Sequence, residues 1–148
     1  MKITFHFFDN RAIGSLLIKA RLSEHFSHVG MEFENGAFIH STMLHGTVMQ
    51  KLSDQPTEPL ASVTIDVDEE AYMEAYEWAV HQVGGKYDYK GIIGFMFAKK
   101  WNDENAFFCS ELGRKVFEIA TGKILKYYNL VTPGELRMLV AMHNLDGK

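Results

Sequence analysis

Cysteine, proline and positive charge are all scarce in this chain, and each shortage removes a class of function. Cys109 is the single cysteine in 148 residues. An intrachain disulfide and a four-cysteine zinc site are therefore excluded. Prolines number three, apolar residues make up 47% and charged residues 23%, a globular composition rather than a disordered one. Lys and Arg total 15 against 19 Asp and Glu, a formal charge of −4. No basic field is available to neutralise phosphates, so a nucleic-acid partner is not expected. Long apolar runs are also missing. The most continuous, Gly91 to Ala98, falls far short of the roughly 20 residues that cross a bilayer. Met1 to Phe8 is apolar but short, broken by His6 and followed by Asp9-Asn10-Arg11, unlike a secretory signal. The expectation is a cytoplasmic chain with no stable membrane insertion. Phage-encoded use or export by a partner would leave no mark of this kind.

The length suits one domain spanning 1–148. Its first half alternates. Residues 2–8, 28–34, 37–42, 47–52 and 61–67 read as strands, with a two-residue hairpin turn at Asn35-Gly36 and a loop at 53–60. Its second half has helical spacing. Helices are expected over 69–83 with Asp68 as N-cap, over 89–99, and from about 108 to 120 with Gly122 after it. An early helix is expected over 12–22, and a short last one from the Thr132-Pro133-Gly134-Glu135 capping box. Met31, Met43, Met49, Met96, Phe95 and Phe97 read as core. The expected class is α+β, an antiparallel sheet packed against helices.

Cys109 carries the most distinctive chemistry. A polar loop precedes it and a helical pattern follows, which places the thiol at a helix N-terminus, where the dipole favours a thiolate and a lowered pKa. A lone cysteine among aromatics also suits a small buried hydrophobe. A nucleophilic thiol needs a base. Of seven histidines, His28 and His40 lie on adjacent antiparallel strands, within a residue or two of register about the turn. Two neighbouring imidazoles suit a base and the partner that orients it. Several of the seven are expected to be surface residues or hydrogen-bonded core residues. A metal reading would draw on His25, His28, His40 and His45, but no nearby Asp or second Cys completes the set, so neither metal nor cofactor is expected. Tyr87, in Gly85-Lys86-Tyr87-Asp88-Tyr89, has a hydroxyl that could face an oxyanion or the edge of the core.

Five segments in order carry a resemblance: Gly14-Ser15-Leu16-Leu17-Ile18-Lys19, Ser27-His28-Val29-Gly30-Met31, Ala37-Phe38-Ile39-His40-Ser41 before Gly46-Thr47-Val48, Gly85-Lys86-Tyr87-Asp88-Tyr89, and Phe108-Cys109-Ser110-Glu111-Leu112. Together they resemble the circularly permuted papain-like (NlpC-type, YiiX-like) cysteine hydrolases, a group that includes relatives of lecithin:retinol acyltransferase. The resemblance implies a permuted papain-like fold with Cys109 as nucleophile, His28 as general base and His40 as orienting residue. It gives Tyr87 an oxyanion role by analogy. Many permuted members have Glu at the position of His40, whereas acyltransferase-like members have His. The membrane anchor of some acyltransferase-like relatives is not expected in this chain. The implied activity is a thiol hydrolase acting on a peptide, isopeptide or peptidoglycan-type amide through a Cys109 thioester. The alternatives are a lipid or ester acyltransferase or hydrolase of the same fold, and a non-catalytic binding or structural module. The partner would be a small-molecule, peptide or lipid substrate.

Overall fold

The computed structural model describes residues 1–9, 25–86, 109–125 and 131–146. The expected helices over 12–22 and 89–99, the polar loop at 102–105 and Tyr87 lie outside those residues. Five strands form one antiparallel sheet: β1 (Lys2–Phe8), β2 (His28–Phe33), β3 (Phe38–Thr42), β4 (Gly46–Gln50) and β5 (Ala61–Asp66). Their spatial order is β4-β3-β2-β1-β5, which makes β3, β2 and β1 interior strands. A 3-10 turn at Leu52–Asp54 interrupts the link from β4 to β5. Three helices follow: α1 (Glu69–His81), α2 (Cys109–Thr121) and α3 (Pro133–Asp146).

Period-two alternation decides which sheet face the helices cover. Ile3, Phe5 and Phe7 of β1, Val29, Met31 and Phe33 of β2, Ile39 of β3 and Ile65 of β5 are all buried in one core. They meet Tyr72, Ala75 and Ala79 of α1, Leu112, Val116, Phe117 and Ala120 of α2, and Leu136 and Val140 of α3. Gly113 lets α2 approach closely. A Cβ there would lie 2.8 Å from Leu136 and 3.4 Å from the Met31 sulfur. Met49 departs from the expected core, being 47% exposed on edge strand β4.

The helix ends follow local chemistry. Asp68 caps α1 by accepting from the Ala71 amide at 2.8 Å. The helix stops at His81, and Val83, expected on its buried face, is exposed beyond it. Thr132 and Glu135 form a reciprocal capping box at α3, with bonds of 3.1 and 2.9 Å. Gly122 follows α2 with φ +66°, as a C′ glycine should.

The β2–β3 hairpin differs from the expected two-residue turn, and the difference sets the site. Phe33, not Glu34, closes the hairpin, its amide donating to the Ala37 carbonyl at 2.9 Å. The loop is thus three residues, Glu34-Asn35-Gly36, with Gly36 at φ +83°. This moves the register by one residue and pairs Gly30 with His40. A one-residue shift exchanges the faces of a strand. With a two-residue turn, His28 and His40 would project from opposite sides of the sheet. With the three-residue loop they project from the same side. The parity of their separation, which counts for little when only proximity is weighed, is therefore decisive.

Candidate active site

The face opposite the helices carries an aromatic and imidazole cluster. Phe8 pairs with His28 across β1 and β2, their ring centroids 5.8 Å apart. Phe38 lies 4.8 Å from His40. Gly30 separates the two histidine rows, and a Cβ there would collide with the Phe38 ring and crowd His40. Glycine at this position lets Phe38 lie across β2 and hold His40 in place. The rings of His28 and His40 sit 5.0 Å apart, and His28 Nε2 is 2.7 Å from His40 Nδ1, a short hydrogen bond between buried groups. On the outer side of His40, Nε2 meets the side-chain amide of Gln55 at 3.5 Å.

Burial governs the protonation of this pair. Desolvation, with the neighbouring His40 second, lowers His28 from its ordinary 6.5 to about 3. Desolvation lowers His40 to about 4. Both rings are neutral at pH 7, so one donates and the other accepts. The sole nitrogen of His28 left for other chemistry is Nδ1.

Cys109 opens α2 and belongs to the apolar core on the helix side of the sheet. Its sulfur is met by the backbone amides of Val29, Ser110 and Cys109 itself, each of which lowers the thiol pKa. Val29 directly follows His28, so thiol and imidazole converge on the first two residues of β2. The lowered thiol pKa expected from the helix N-terminus is not what results. Burial outweighs the amides and pushes the thiol up to about 11. Among the described residues no hydrogen bond joins the thiol to His28 or His40. At rest the thiol is neutral on the helix side of β2, and the imidazole pair is neutral on the opposite face.

Two further features help to fix this arrangement. Gly46, at the start of β4, has φ +68°, and a Cβ there would fall on the Gly85 carbonyl oxygen. The Thr47 amide donates to Gly85 O at 2.9 Å and the Gly84 amide to Thr47 O at 2.8 Å. The Gly-Thr-Val and Gly-Gly-Lys segments of the sequence are thus joined along the β4 edge. Elsewhere on the imidazole face, His6 bridges Ser62 at 2.8 Å and Glu32 at 3.0 Å, tying β1 to β5 and β2.

Of the residues singled out in the sequence, His28 and His40 are bonded to each other and Cys109 approaches the same strand end. Tyr87 lies outside the described residues. His25 and His45 are exposed, whereas the pair is buried. Gln55 was not singled out. Its loop has two prolines and no motif, and nothing in the sequence marks where that loop folds back.

No family model matches the chain, and no curated protein matches it. Among solved structures it is similar to YiiX from Escherichia coli O157:H7, described as a metalloprotein, with a TM-score of 0.56 and 22% identity over 93% of this chain and 78% of that one. The fold is YiiX-like. Likeness at this identity extends to the fold alone. Among the described residues, no group of three or more His, Cys, Asp or Glu side chains could hold a metal ion. His28 and His40 turn ring nitrogens toward each other rather than toward a shared centre, so these residues of the YiiX-like fold do not fit a metal. No described helix is long and apolar enough to cross a membrane.

Proposed function

We propose that the chain is a thiol hydrolase of the permuted papain-like type, cleaving an amide bond through a thioester on Cys109. The observation that carries this reading is the buried His28–His40 hydrogen bond of 2.7 Å at the start of β2, where the next residue, Val29, gives its backbone amide to the thiol of the only cysteine. In this reading His40 holds the His28 ring at Nε2 and leaves Nδ1 to act as general base. A thiol near 11 and an imidazole near 3 do not form a standing ion pair. The proton therefore moves as the bond forms, once substrate brings His28 Nδ1 and the sulfur within hydrogen-bond reach. The sulfur attacks the carbonyl carbon while its proton passes to His28 Nδ1. The oxyanion faces the backbone N–H of Cys109 at the start of α2. The tetrahedral adduct expels the amine, which takes the proton from His28. Water, deprotonated by His28, then attacks the thioester and releases the acid and the thiol.

The raised thiol pKa and the missing thiol–imidazole bond favour a second reading, a binding or structural module with an inert buried cysteine. Acylation separates the two. The folded protein is treated with an activated ester, p-nitrophenyl acetate, and with a panel of amide and longer-chain ester substrates, and the mass of the Cys109 peptide is followed. The expected result is acylation confined to Cys109 and slowed by at least about 100-fold in His28→Ala, the usual range for loss of a general base. A folded protein whose Cys109 is never acylated, or is acylated equally fast without His28, overturns the hydrolase reading in favour of the module.

A further inference from the structure

The thiol-hydrolase reading requires one tautomer of His28, and a side chain outside the three proposed residues is placed to select it. Cys109 can lose its proton only to a ring nitrogen with a free lone pair. His28 Nε2 is occupied by His40 Nδ1, so that lone pair must be on His28 Nδ1. A neutral imidazole has one N–H. His28 must then carry it at Nε2 and donate it to His40 Nδ1, which leaves His40 protonated at Nε2. His40 is 3% exposed, so this N–H needs a protein acceptor. Among the described residues, the group at that nitrogen is the Gln55 carboxamide.

The two ends of a carboxamide have opposite effects. With the amino group toward His40, as the 3.5 Å nitrogen–nitrogen contact has it, Gln55 donates to Nε2. His40 then donates from Nδ1 to His28 Nε2, and the remaining proton lies on His28 Nδ1, where it blocks base chemistry. Half a turn about χ3 brings the carboxamide oxygen to the same place and reverses every donor in the chain. The backbone beneath Gln55 is well anchored for this task. The Lys51 amide donates to Asp54 Oδ2 at 3.0 Å, and the Asp54 and Gln55 amides donate to the carbonyls of Lys51 and Leu52, each at 3.0 Å. Pro56 follows with its restricted φ. The side chain is half-buried, so its carboxamide can turn without disturbing the core.

We propose that Gln55 is a positioning residue that sets the tautomer of the His28–His40 pair, with its carboxamide oxygen toward His40 in the active arrangement. This inference rests on the hydrolase reading for its purpose, but its direct test does not. Nitrogen-15 spectra of the imidazole rings report which nitrogen bears the proton. They are recorded at pH 7 for wild type, Gln55→Glu and Gln55→Leu, beside Cys109 acylation by p-nitrophenyl acetate, with circular dichroism to show that each variant folds. Gln55→Glu presents only acceptors and is expected to place the protons at Nε2 of both rings, keeping acylation within about threefold of wild type or raising it. It is also expected to move the acid limb of the pH profile upward, because a carboxylate favours the charged ring. Gln55→Leu offers neither donor nor acceptor. It is expected to mix the tautomers and slow acylation by at least about tenfold, in line with the cost of a wrong tautomer in related triads. Identical ring-nitrogen signals in all three proteins would overturn the proposal, whatever the acylation rates. Absence of acylation in every protein refutes the hydrolase reading instead, and the nitrogen signals still decide the role of Gln55.

Discussion

His28 and His40 share one hydrogen bond in a dry environment, and their pKa values of about 3 and 4 leave no titration step near the usual imidazole value of 6.5. A general base works in its neutral form. In the hydrolase reading, acylation of Cys109 should therefore be nearly flat in its dependence on His28 from pH 5.5 to 7.5 and should fall only as the pH approaches the range in which the rings take up protons. Stopped assays with a folded-state check by circular dichroism would measure this, and an acid limb centred near 6.5 would count against a buried neutral pair. That the two histidines lie on neighbouring strands close to register was legible in the sequence, but that they share a face was not, because it depends on a three-residue loop where a two-residue turn was expected. The state of the thiol was not legible either. A helix N-terminus can be read from the sequence, but the depth at which α2 docks cannot, and depth decides between a lowered and a raised pKa. Gln55 was equally invisible, since its approach to His40 depends on how a loop after β4 closes.

Most strands and helices could be read from periodicity, yet the hairpin loop shows how little suffices to change the chemistry. One additional loop residue, Glu34, sets the parity that brings both imidazoles to one face. The β4 edge shows a second local device. Gly46 combines a left-handed backbone with contact against Gly85. Gly46→Ala is expected to destabilise the fold by about 1–3 kcal/mol from the backbone alone, with further loss from the displaced pairing of Thr47 with Gly84 and Gly85. Urea unfolding gives the measurement, and an unchanged midpoint would show that the edge pairing relaxes freely. Gly36→Ala makes a useful comparison, because its φ is also positive but no atom lies within 4 Å of the added Cβ. The difference between the two variants isolates the steric part.

Across the whole molecule, the buried imidazoles couple the fold to pH. The unfolded rings titrate near 6.5 and the folded ones near 3 and 4. Between these limits the unfolded chain binds more protons, so stability rises with pH through this window and is lost as pH falls from about 6.5. Each ring contributes a slope of up to about 1.4 kcal/mol per pH unit. Urea midpoints at pH 7 and pH 5 should separate clearly in wild type and draw together in a His28→Asn, His40→Asn double variant. Equal separation in both proteins would mean that other groups carry the acid sensitivity.

The placement of Cys109 has a redox consequence as well. Peroxide and disulfide exchange act on thiolates that they can reach. Cys109 is 5% exposed, and a thiol protonated up to about pH 11 offers them almost nothing in the folded chain. Undocking α2 would return it to an ordinary thiol near 8.5. Folding thus shields the sulfur from indiscriminate oxidants, and oxidative damage at Cys109 becomes a record of how often α2 has left the sheet.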